Sequence, residues 1–346
     1  MQAVEWRAPH ELAVVERPDP VAADGQLVLE VSTCGICGSD LHSYKQGFAA
    51  VPGQVLGHEL SGVVLEAPGV AGVAVGDRVT VRPLTPCLNC DRCRAGDVHL
   101  CESGAQDNIG YGTPGGFAER VLVPRAALGD TVFLLPDSVS DRAGALVEPL
   151  AVSLRAVRLA DAGPDDTVLV LGGGMIGLGV ARFLRLRGAG TIVLSDPSPL
   201  RREAARRLGV DIVVDPLAQD VTQEMRALTG PGGMGLGARV DVVIDAAGVA
   251  AGFKDALKSV RHGGTLVLAA MYGARIELVP DRIVEKELHV RGSFAYKDEF
   301  PMVLQALQDG DVDPELFISH TFPLERTPEA FLAQLDRDTS LKVLVG

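Results

Sequence analysis

Short apolar runs separated by glycine and proline characterise the first part of the chain, up to about residue 150. The runs over residues 26–31, 61–66, 77–81 and 118–123 are rich in Val and Leu and predict strands. Closely spaced strands with turn residues between them are typical of an all-β barrel or sandwich with long loops. The pattern therefore predicts a β domain over this part of the chain.

Continuous apolar runs replace that pattern between about residues 165 and 290. They predict strands over residues 167–171, 191–195, 211–214, 240–244 and 264–269, each covered on both faces, with helix-like segments in most of the gaps. Alternating strands and helices predict a parallel, doubly wound sheet. The tail from about residue 295 has one predicted helix (299–308) and a final strand (341–345), and the pattern leaves open which domain it joins.

Length and charge restrict the function of this chain. Its 346 residues are enough for two domains, and a net charge of −13 argues against nucleic-acid or anionic-membrane partners.

The most apolar window, residues 168–180, is interrupted by glycines and is shorter than the roughly 20 residues that span a bilayer. Charges at Glu5 and Arg7 are unlike a secretory signal. We expect a cytoplasmic protein without a membrane segment, whose six cysteines are reduced and available for metal binding.

A glycine fingerprint follows the first predicted parallel strand. The motif G-x-G-x-x-G comprises Gly172, Gly174, Met175, Ile176 and Gly177. Between a strand and a helix, such glycines let the backbone approach a pyrophosphate at the helix N-terminus, although a plain tight turn has the same appearance. Asp196, at the end of the next strand, is predicted to accept the ribose hydroxyls and to repel the 2′-phosphate of NADP. The motif therefore predicts NAD as cofactor.

Two arginines follow this acid and bear on the same preference. Arg201 and Arg202 lie at the start of a helix-like run, residues 199–208. An arginine at this point would moderate the preference for NAD by attracting a 2′-phosphate. The alternative is that both belong to a solvated helix face.

Four cysteines form the strongest metal motif in the sequence. They are Cys87, Cys90, Cys93 and Cys101, in the pattern C-x2-C-x2-C-x7-C. Four thiolates from one short segment suit tetrahedral Zn²⁺ in a closed structural site. Reduced core cysteines are a poor alternative because polar residues lie between them, and the spacing differs from that of bacterial ferredoxin clusters. The motif predicts a zinc that fastens a loop and takes no part in chemistry.

The other two cysteines, Cys34 and Cys37, follow the first predicted strand. Downstream, His58 stands beside Glu59, and Glu148 lies in the otherwise apolar run 143–152. Taken singly, each has an ordinary explanation, such as a small core thiol, a hydrogen-bonded histidine or an acid at a helix N-terminus. Together, cysteine, histidine and a carboxylate form the three-ligand set that leaves one zinc position open for substrate. Beside a dinucleotide motif, they predict a catalytic zinc, which makes two zinc ions per chain.

These motifs resemble those of the zinc-dependent medium-chain dehydrogenase/reductase family, and within it the sorbitol (polyol), butanediol and threonine dehydrogenases. In family order they are Cys34-Gly-Ile-Cys37-Gly-Ser-Asp40, Gly57-His58-Glu59, the four cysteines, Gly115-Gly-Phe-Ala-Glu119, Glu148-Pro-Leu150 and the glycine fingerprint. The resemblance covers essentially the whole chain. It implies a GroES-like catalytic domain over residues 1–150 with a structural zinc lobe at about 84–104, a Rossmann domain over 151–293, and a return to the catalytic domain over 294–346.

The resemblance also implies roles for particular residues. Cys37, and not Cys34, is the zinc ligand, together with His58 and either Glu59 or Glu148. The other implied roles are a proton relay through Ser39 and His42 and a pyrophosphate contact by Lys342. Liver-type alcohol dehydrogenases carry an arginine where this chain has Gly38, and their third zinc ligand, a cysteine, is absent near Glu148. Both differences point to the polyol branch.

The expected reaction is hydride transfer between an alcohol and NAD, because zinc lowers the pKa of a coordinated hydroxyl. A vicinal diol or sugar alcohol is the leading substrate class, ahead of simple secondary alcohols and L-threonine. Tyr44 and Glu148 are candidates to hydrogen-bond a second hydroxyl, and Phe294 to line the cofactor cleft, although both aromatic residues have packing as an alternative. A zinc-independent enoyl or quinone reductase and a non-catalytic NAD-binding protein are the rival functions. The resemblance implies a homo-oligomer, either a tetramer or a dimer.

Overall fold

The computed structural model describes residues 1–235 and 237–346, and the chain clusters into two compact units. The first unit comprises Met1–Pro149 and Tyr296–Gly346, and the second comprises Leu150–Ala295. Domain boundaries were expected after residues 150 and 293, and the units divide after residues 149 and 295. The tail, which the hydrophobic pattern left unassigned, belongs to the first unit.

Strands predominate in the first unit before residue 149. In chain order the elements are β1 (Gln2–Ala8), β2 (Glu11–Glu16), β3 (Leu27–Gly35), α1 (Gly38–Gln46), β4 (Gln54–Val55), β5 (Glu59–Glu66), β6 (Arg78–Val81), α2 (Asp91–Arg94), β7 (Arg120–Val123), β8 (Val132–Leu134) and α3 (Asp141–Ala145). Helix α4 (Val147–Ala160) follows and continues into the second unit.

Strands and helices alternate in the second unit. The elements are β9 (Thr167–Leu171), α5 (Met175–Leu186), β10 (Thr191–Ser195), α6 (Pro199–Arg207), β11 (Ile212–Val214), α7 (Val221–Thr229), β12 (Val240–Asp245), α8 (Ala250–Ser259), β13 (Val260–Leu268), α9 (Asp281–Glu285) and β14 (His289–Gly292). The tail adds α10 (Glu299–Gln308), β15 (Ile318–Phe322), α11 (Thr327–Leu335) and β16 (Lys342–Val345) to the first unit.

The first unit is built around a mixed sheet in the order β15-β16-β3-β5-β6-β8, with β7 also paired to β3. Strand β16 pairs antiparallel with β3, which explains why the tail belongs to this unit. A second sheet has the order β2-β1-β4. Buried side chains such as Leu29, Leu60, Phe117 and Phe331 form one continuous hydrophobic core. Burial of this apolar area is the main stabilising contribution to the β domain.

The second unit is a parallel sheet in the order β11-β10-β9-β12-β13-β14, with the chain reversing direction across the sheet between β9 and β12. Such a reversal leaves a crevice at the carboxyl ends of the strands, where ligands bind in doubly wound folds. Strand β14 was not predicted from the sequence, because all four of its residues are exposed and show no apolar run. The predicted fold class, a β domain combined with a doubly wound α/β domain, is confirmed. Within the described ranges, no helix is long and apolar enough to cross a membrane.

Candidate functional site

Antiparallel pairing between β3 and β5 brings Cys37 and His58 together. Gly35, at the end of β3, lies opposite Glu59, the first residue of β5. The segment that follows β3 and the segment that precedes β5 therefore meet at the same end of these two strands. Cys37 is the N-cap of α1 and His58 immediately precedes β5. Ligand atoms of Cys37, His58 and Glu59 all lie within 4.8 Å of one another. Sulfur, imidazole and carboxylate donors at this spacing fit a zinc ion.

Asp40 lies beside the histidine, a position that the sequence motifs did not reveal. Its Oδ2 accepts the backbone N–H of Cys37 at 2.8 Å, which closes a capping box, and its Oδ1 lies 3.6 Å from Nδ1 of His58. Carboxylates in this position fix the tautomer of a ligating histidine and leave Nε2 free for the metal. The sequence contains one signal for the position of Asp40: an acid three residues after an N-cap residue is typical of a capping box.

Glu59 also forms an ion pair with Lys342. The lysine Nζ donates to both carboxylate oxygens of Glu59, at 2.8 and 2.6 Å, and to the carbonyl of Ile36 at 2.9 Å. Both side chains are almost fully buried, with relative exposures of 4% for Lys342 and 1% for Glu59. The ion pair therefore forms one wall of the metal site. The contact between Lys342 and a pyrophosphate stays a prediction.

The two cysteines of the motif have different environments. Burial raises the pKa of the Cys34 thiol well above its usual value, and its side chain belongs to the hydrophobic core. Cys37 is partly exposed and lies in the donor group. Because zinc binds the thiolate form, this difference supports the expectation that Cys37 is the ligand and Cys34 a packed neighbour.

Two hydroxyl groups face the other ring nitrogen of His58. Ser39 Oγ lies 3.5 Å from Nε2, Tyr111 OH lies 3.4 Å from it, and the two hydroxyl oxygens are 2.8 Å apart. Burial raises the pKa of the Tyr111 phenol above its usual value, so the group stays neutral. His42, the other predicted relay residue, lies one helical turn after Ser39 on α1 and is partly exposed.

Tyr111 was missed by the sequence analysis because it belongs to no motif. It lies in a turn in which the N–H groups of Tyr111 and Gly112 both bond to the carbonyl of Asn108. Gly110 adopts a left-handed conformation (φ +81°), and a Cβ there would lie 2.7 Å from the carbonyl oxygen of Gly57. Glycine thus lets this turn pack against the residue before His58, which places the tyrosine beside the imidazole.

Glu148 is a buried carboxylate near the same site. It lies in the first turn of α4, and burial raises its pKa to about 7, with His58 and Glu59 close enough to affect its charge. In the part of the chain that the structure describes, it is not in the group of donors that lie within 4.8 Å of one another. Glu59 is therefore the better placed of the two predicted carboxylate ligands.

The two predicted aromatic contacts have different positions. Tyr44 is 7% exposed and packs on Phe331, with ring centroids 5.4 Å apart, within the hydrophobic core. Its burial favours packing, the second of the two roles that the sequence left open, and a contact between Tyr44 and substrate stays a prediction. Phe294, by contrast, is 53% exposed in the second unit, and its contact with cofactor stays a prediction.

The four-cysteine lobe forms a second donor group in the first unit. Sulfur atoms of Cys87, Cys90, Cys93 and Cys101 lie within 4.8 Å of one another. Backbone N–H groups of Asn89 and Cys90 donate to the Cys87 sulfur at 3.4 and 3.3 Å, and these bonds lower the pKa of its thiol. Burial raises the pKa of the Cys93 thiol to about 12, but four sulfur atoms this close together still fit a closed structural zinc site.

The glycine fingerprint occupies the carboxyl end of β9, at the point where the sheet reverses direction. Gly174 is the N-cap of α5, which contains Met175, Ile176 and Gly177. A side chain at Gly177 would overlap the carbonyl oxygen of Gly172, so the turn requires glycine there. Backbone N–H groups at a helix N-terminus bind phosphate, which fits the predicted dinucleotide site.

Asp196 lies at the end of β10, beside the fingerprint. Its carboxylate accepts the N–H of Gly173 at 2.7 Å and that of Ser198 at 2.8 Å. The Arg201 guanidinium is 4.0 Å from the same carboxylate, whereas Arg202 bonds to the carbonyl of Asp196. Arg201 is therefore close enough to reduce the effect of the negative charge of Asp196. Such proximity is needed if an arginine here is to moderate the preference for NAD.

A metal site of sulfur, nitrogen and oxygen donors in one unit and a dinucleotide fold in the other define a class of protein, the zinc-dependent dehydrogenases. Comparison with known families agrees with this class. Residues 23–137 match the alcohol dehydrogenase GroES-like domain, and residues 176–309 match the zinc-binding dehydrogenase family.

Individual relatives are similar over the full length of the chain. Sorbitol dehydrogenase of Bacillus subtilis is 32% identical over 355 residues, covering 100% of this chain and 97% of that protein. The (R,R)-butanediol dehydrogenase of the same organism is 33% identical over 364 residues, with 100% and 99% covered. A Sinorhizobium meliloti protein solved with NADP bound has a TM-score of 0.88 at 35% identity, covering 99% of this chain and 98% of that one. The chain belongs to the zinc-dependent medium-chain alcohol dehydrogenase family and is an oxidoreductase.

Proposed function

We propose that this enzyme transfers a hydride between NAD and the secondary alcohol of a diol, polyol or sugar alcohol. The observation that carries the proposal is the convergence of Cys37, His58 and Glu59 within 4.8 Å, with the Ser39 and Tyr111 hydroxyls beside the histidine. Relatives named for sorbitol and butanediol support the substrate class. An L-threonine dehydrogenase or a simple secondary alcohol dehydrogenase is the alternative within the family.

The residues of the first unit would hold two zinc ions, one in each donor group. At the open site, zinc supplies a Lewis acid that makes an alcohol hydroxyl easier to deprotonate at neutral pH. Ser39 would take up the alcohol proton and release its own hydroxyl proton, a role supported by the position of its Oγ beside Nε2 of His58. His42, one turn along α1 and partly exposed, would pass the proton on to solvent. The four-cysteine lobe would hold its zinc for structure alone.

The residues of the second unit would bind the dinucleotide. The N-terminus of α5 would hold the pyrophosphate and Asp196 the adenosine ribose. The negative charge of Asp196 favours NAD over NADP, and Arg201 at 4.0 Å reduces that preference. Lys342 and Phe294 are further proposed cofactor contacts.

Replacing Asp196 tests the cofactor preference. In the Asp196→Ala variant, we expect the ratio of kcat/KM for NADP to kcat/KM for NAD to rise roughly tenfold or more, because a charge that repels the 2′-phosphate is removed. Steady-state kinetics with both cofactors measure the ratio. Asp215→Ala is the matched control, since Asp215 is an acid paired with Arg202 at 3.0 Å beyond the adjacent strand. Equal changes in the two variants would rule out a specific role for Asp196.

Replacing Glu148 tests whether its charge assists turnover. Glu148→Gln keeps the size of the side chain, and we expect kcat to fall by about tenfold or more while the zinc content is unchanged. The reason is that Glu148 is a buried carboxylate near the site but outside its closest donor group. Zinc analysis and kinetics on the same preparation give both values. Unchanged turnover with unchanged zinc would remove Glu148 from the mechanism, and loss of zinc would make it a ligand.

A homo-oligomer, either a dimer or a tetramer, is the proposed assembly. Strand β14 lies at the edge of the parallel sheet with all four residues exposed, and exposed edges favour pairing with a second chain. Light scattering gives the mass directly.

We also propose a cytoplasmic location, because the six cysteines are free thiols and zinc sites require reduced cysteines.

A panel of alcohols with NAD⁺, read at the NADH absorbance, tests the proposed function. We expect oxidation of vicinal diols or sugar alcohols and about two zinc ions per chain. Activity on L-threonine or on monohydric alcohols alone would select one of the alternatives within the family. A protein with no zinc would instead be an enoyl or quinone reductase, and one that binds NAD and zinc but oxidises no alcohol would be non-catalytic.

A further inference from the structure

Tyr111 lies beside the nitrogen of His58 that is left for a metal, and therefore next to an alcohol bound at that metal. Nδ1 of His58 faces Asp40 at 3.6 Å, so Nε2 is the nitrogen that remains for a metal. Tyr111 OH is 3.4 Å from Nε2, on the same side as Ser39 Oγ at 3.5 Å. Any alcohol at that metal therefore has these two hydroxyls as neighbours.

The two hydroxyls have different amounts of hydrogen-bonding capacity to offer a substrate. In the proposed function, Ser39 serves the alcohol that is oxidised. A phenolic hydroxyl has one donor and additional acceptor capacity. Its two partners in the structure are Ser39 at 2.8 Å and His58 Nε2 at 3.4 Å, and a metal on Nε2 would leave only the bond to Ser39. Tyr111 is partly exposed, so its remaining capacity is available to a ligand.

The aromatic ring alone does not account for a tyrosine at this position. Its ring contacts His58 with centroids 5.0 Å apart and an interplanar angle of 37°. Phenylalanine would make the same contact without placing a polar group beside the metal site. The hydroxyl bonds to Ser39 at 2.8 Å, and what distinguishes tyrosine from phenylalanine here is the hydrogen-bonding capacity that this bond leaves over.

We propose that Tyr111 is a specificity residue whose hydroxyl bonds to the substrate hydroxyl on the carbon next to the one that is oxidised. This inference rests on the proposed function and explains how the site would select diols and polyols over monohydric alcohols. A site built to bond a substrate hydroxyl discriminates strongly against the analogue that lacks it, because its own polar group is then left without a partner.

The test compares paired substrates in the Tyr111→Phe variant of the full-length, zinc-loaded enzyme. The pair is 2,3-butanediol and 2-butanol, which differ by the neighbouring hydroxyl, or the best polyol of the panel and its deoxy analogue. We expect kcat/KM for the diol to fall roughly 10- to 100-fold, while the value for 2-butanol changes less than about threefold. Retained activity on 2-butanol and an unchanged zinc content would demonstrate that the variant is folded.

The matched control is Tyr44→Phe, which removes the same hydroxyl from a tyrosine in the core of the same unit. In this variant we expect the ratio of kcat/KM for the diol to kcat/KM for 2-butanol to stay at its wild-type value. An equal loss on both substrates in Tyr111→Phe, or no loss on either, would overturn the specificity role. A wild-type enzyme that oxidises neither substrate nor any other alcohol would instead refute the proposed function, and this inference with it.

Discussion

Replacement of Cys37 by serine is expected to remove the catalytic zinc and to reduce kcat at least roughly 1,000-fold, equivalent to about 4 kcal/mol. The physical reason is that Cys37 supplies the thiolate of a donor group with His58 and Glu59, and a serine hydroxyl is a much weaker zinc ligand. Metal analysis should show a decrease from about two zinc ions per chain to about one, since the four-cysteine lobe is separate.

Cys34→Ser provides the matched control for this experiment. It makes the same substitution three residues away, on a fully buried thiol of the hydrophobic core. We expect this variant to lose some stability but to keep both zinc ions and most of its activity. The assignment of the ligand would be wrong if Cys34→Ser lost a zinc ion and Cys37→Ser kept both.

Lys342→Met is expected to lower the free energy of unfolding by about 3–5 kcal/mol. The substitution leaves the carboxylate of Glu59 buried without the ammonium group that bonds to both of its oxygens. An uncompensated buried charge is costly, whereas most of the apolar packing of the lysine stem is kept by methionine. Urea denaturation of the zinc-free protein measures the difference, because no metal then compensates the charge of Glu59.

Two further variants separate the buried ion pair from the removal of a cation in general. Arg326→Met breaks an exposed pair with Glu329, and we expect a loss of at most about 1 kcal/mol. Adding Glu59→Gln to Lys342→Met removes the unpaired charge and should restore part of the lost stability. A Lys342→Met variant as stable as Arg326→Met would contradict the importance of the buried pair.

Most of the fold could be predicted from local sequence patterns. Apolar runs gave the bounds of β9, β10 and β12 closely, because a strand that is buried on both faces appears in the sequence as a continuous apolar run. The pattern placed β13 late, over residues 264–269, since its first half, which starts at Val260, contains exposed residues and glycines. The pairing of β16 with β3, which joins the tail to the first unit, is a long-range contact that no local pattern contains.

The zinc ligands could be predicted because their chemistry lies in short motifs. The contacts around them could not, because their partners are distant in the sequence: Lys342 and Glu59 are 283 residues apart, and Tyr111 is 53 residues from His58. Tyr44 lies close to the motif in sequence, and its burial favours packing. It lies five residues after Ser39 on α1, which is roughly 140° around the helix, so proximity to the motif did not imply the same face.

The most direct measurement is anomalous X-ray scattering at the zinc absorption edge from crystals of the protein. We expect one peak between Cys37 Sγ and His58 Nε2 and a second peak within the four-cysteine lobe. A single peak in the lobe, with Cys37 and His58 directed away from each other in a fully zinc-loaded protein, would contradict the catalytic zinc on which the proposed chemistry depends.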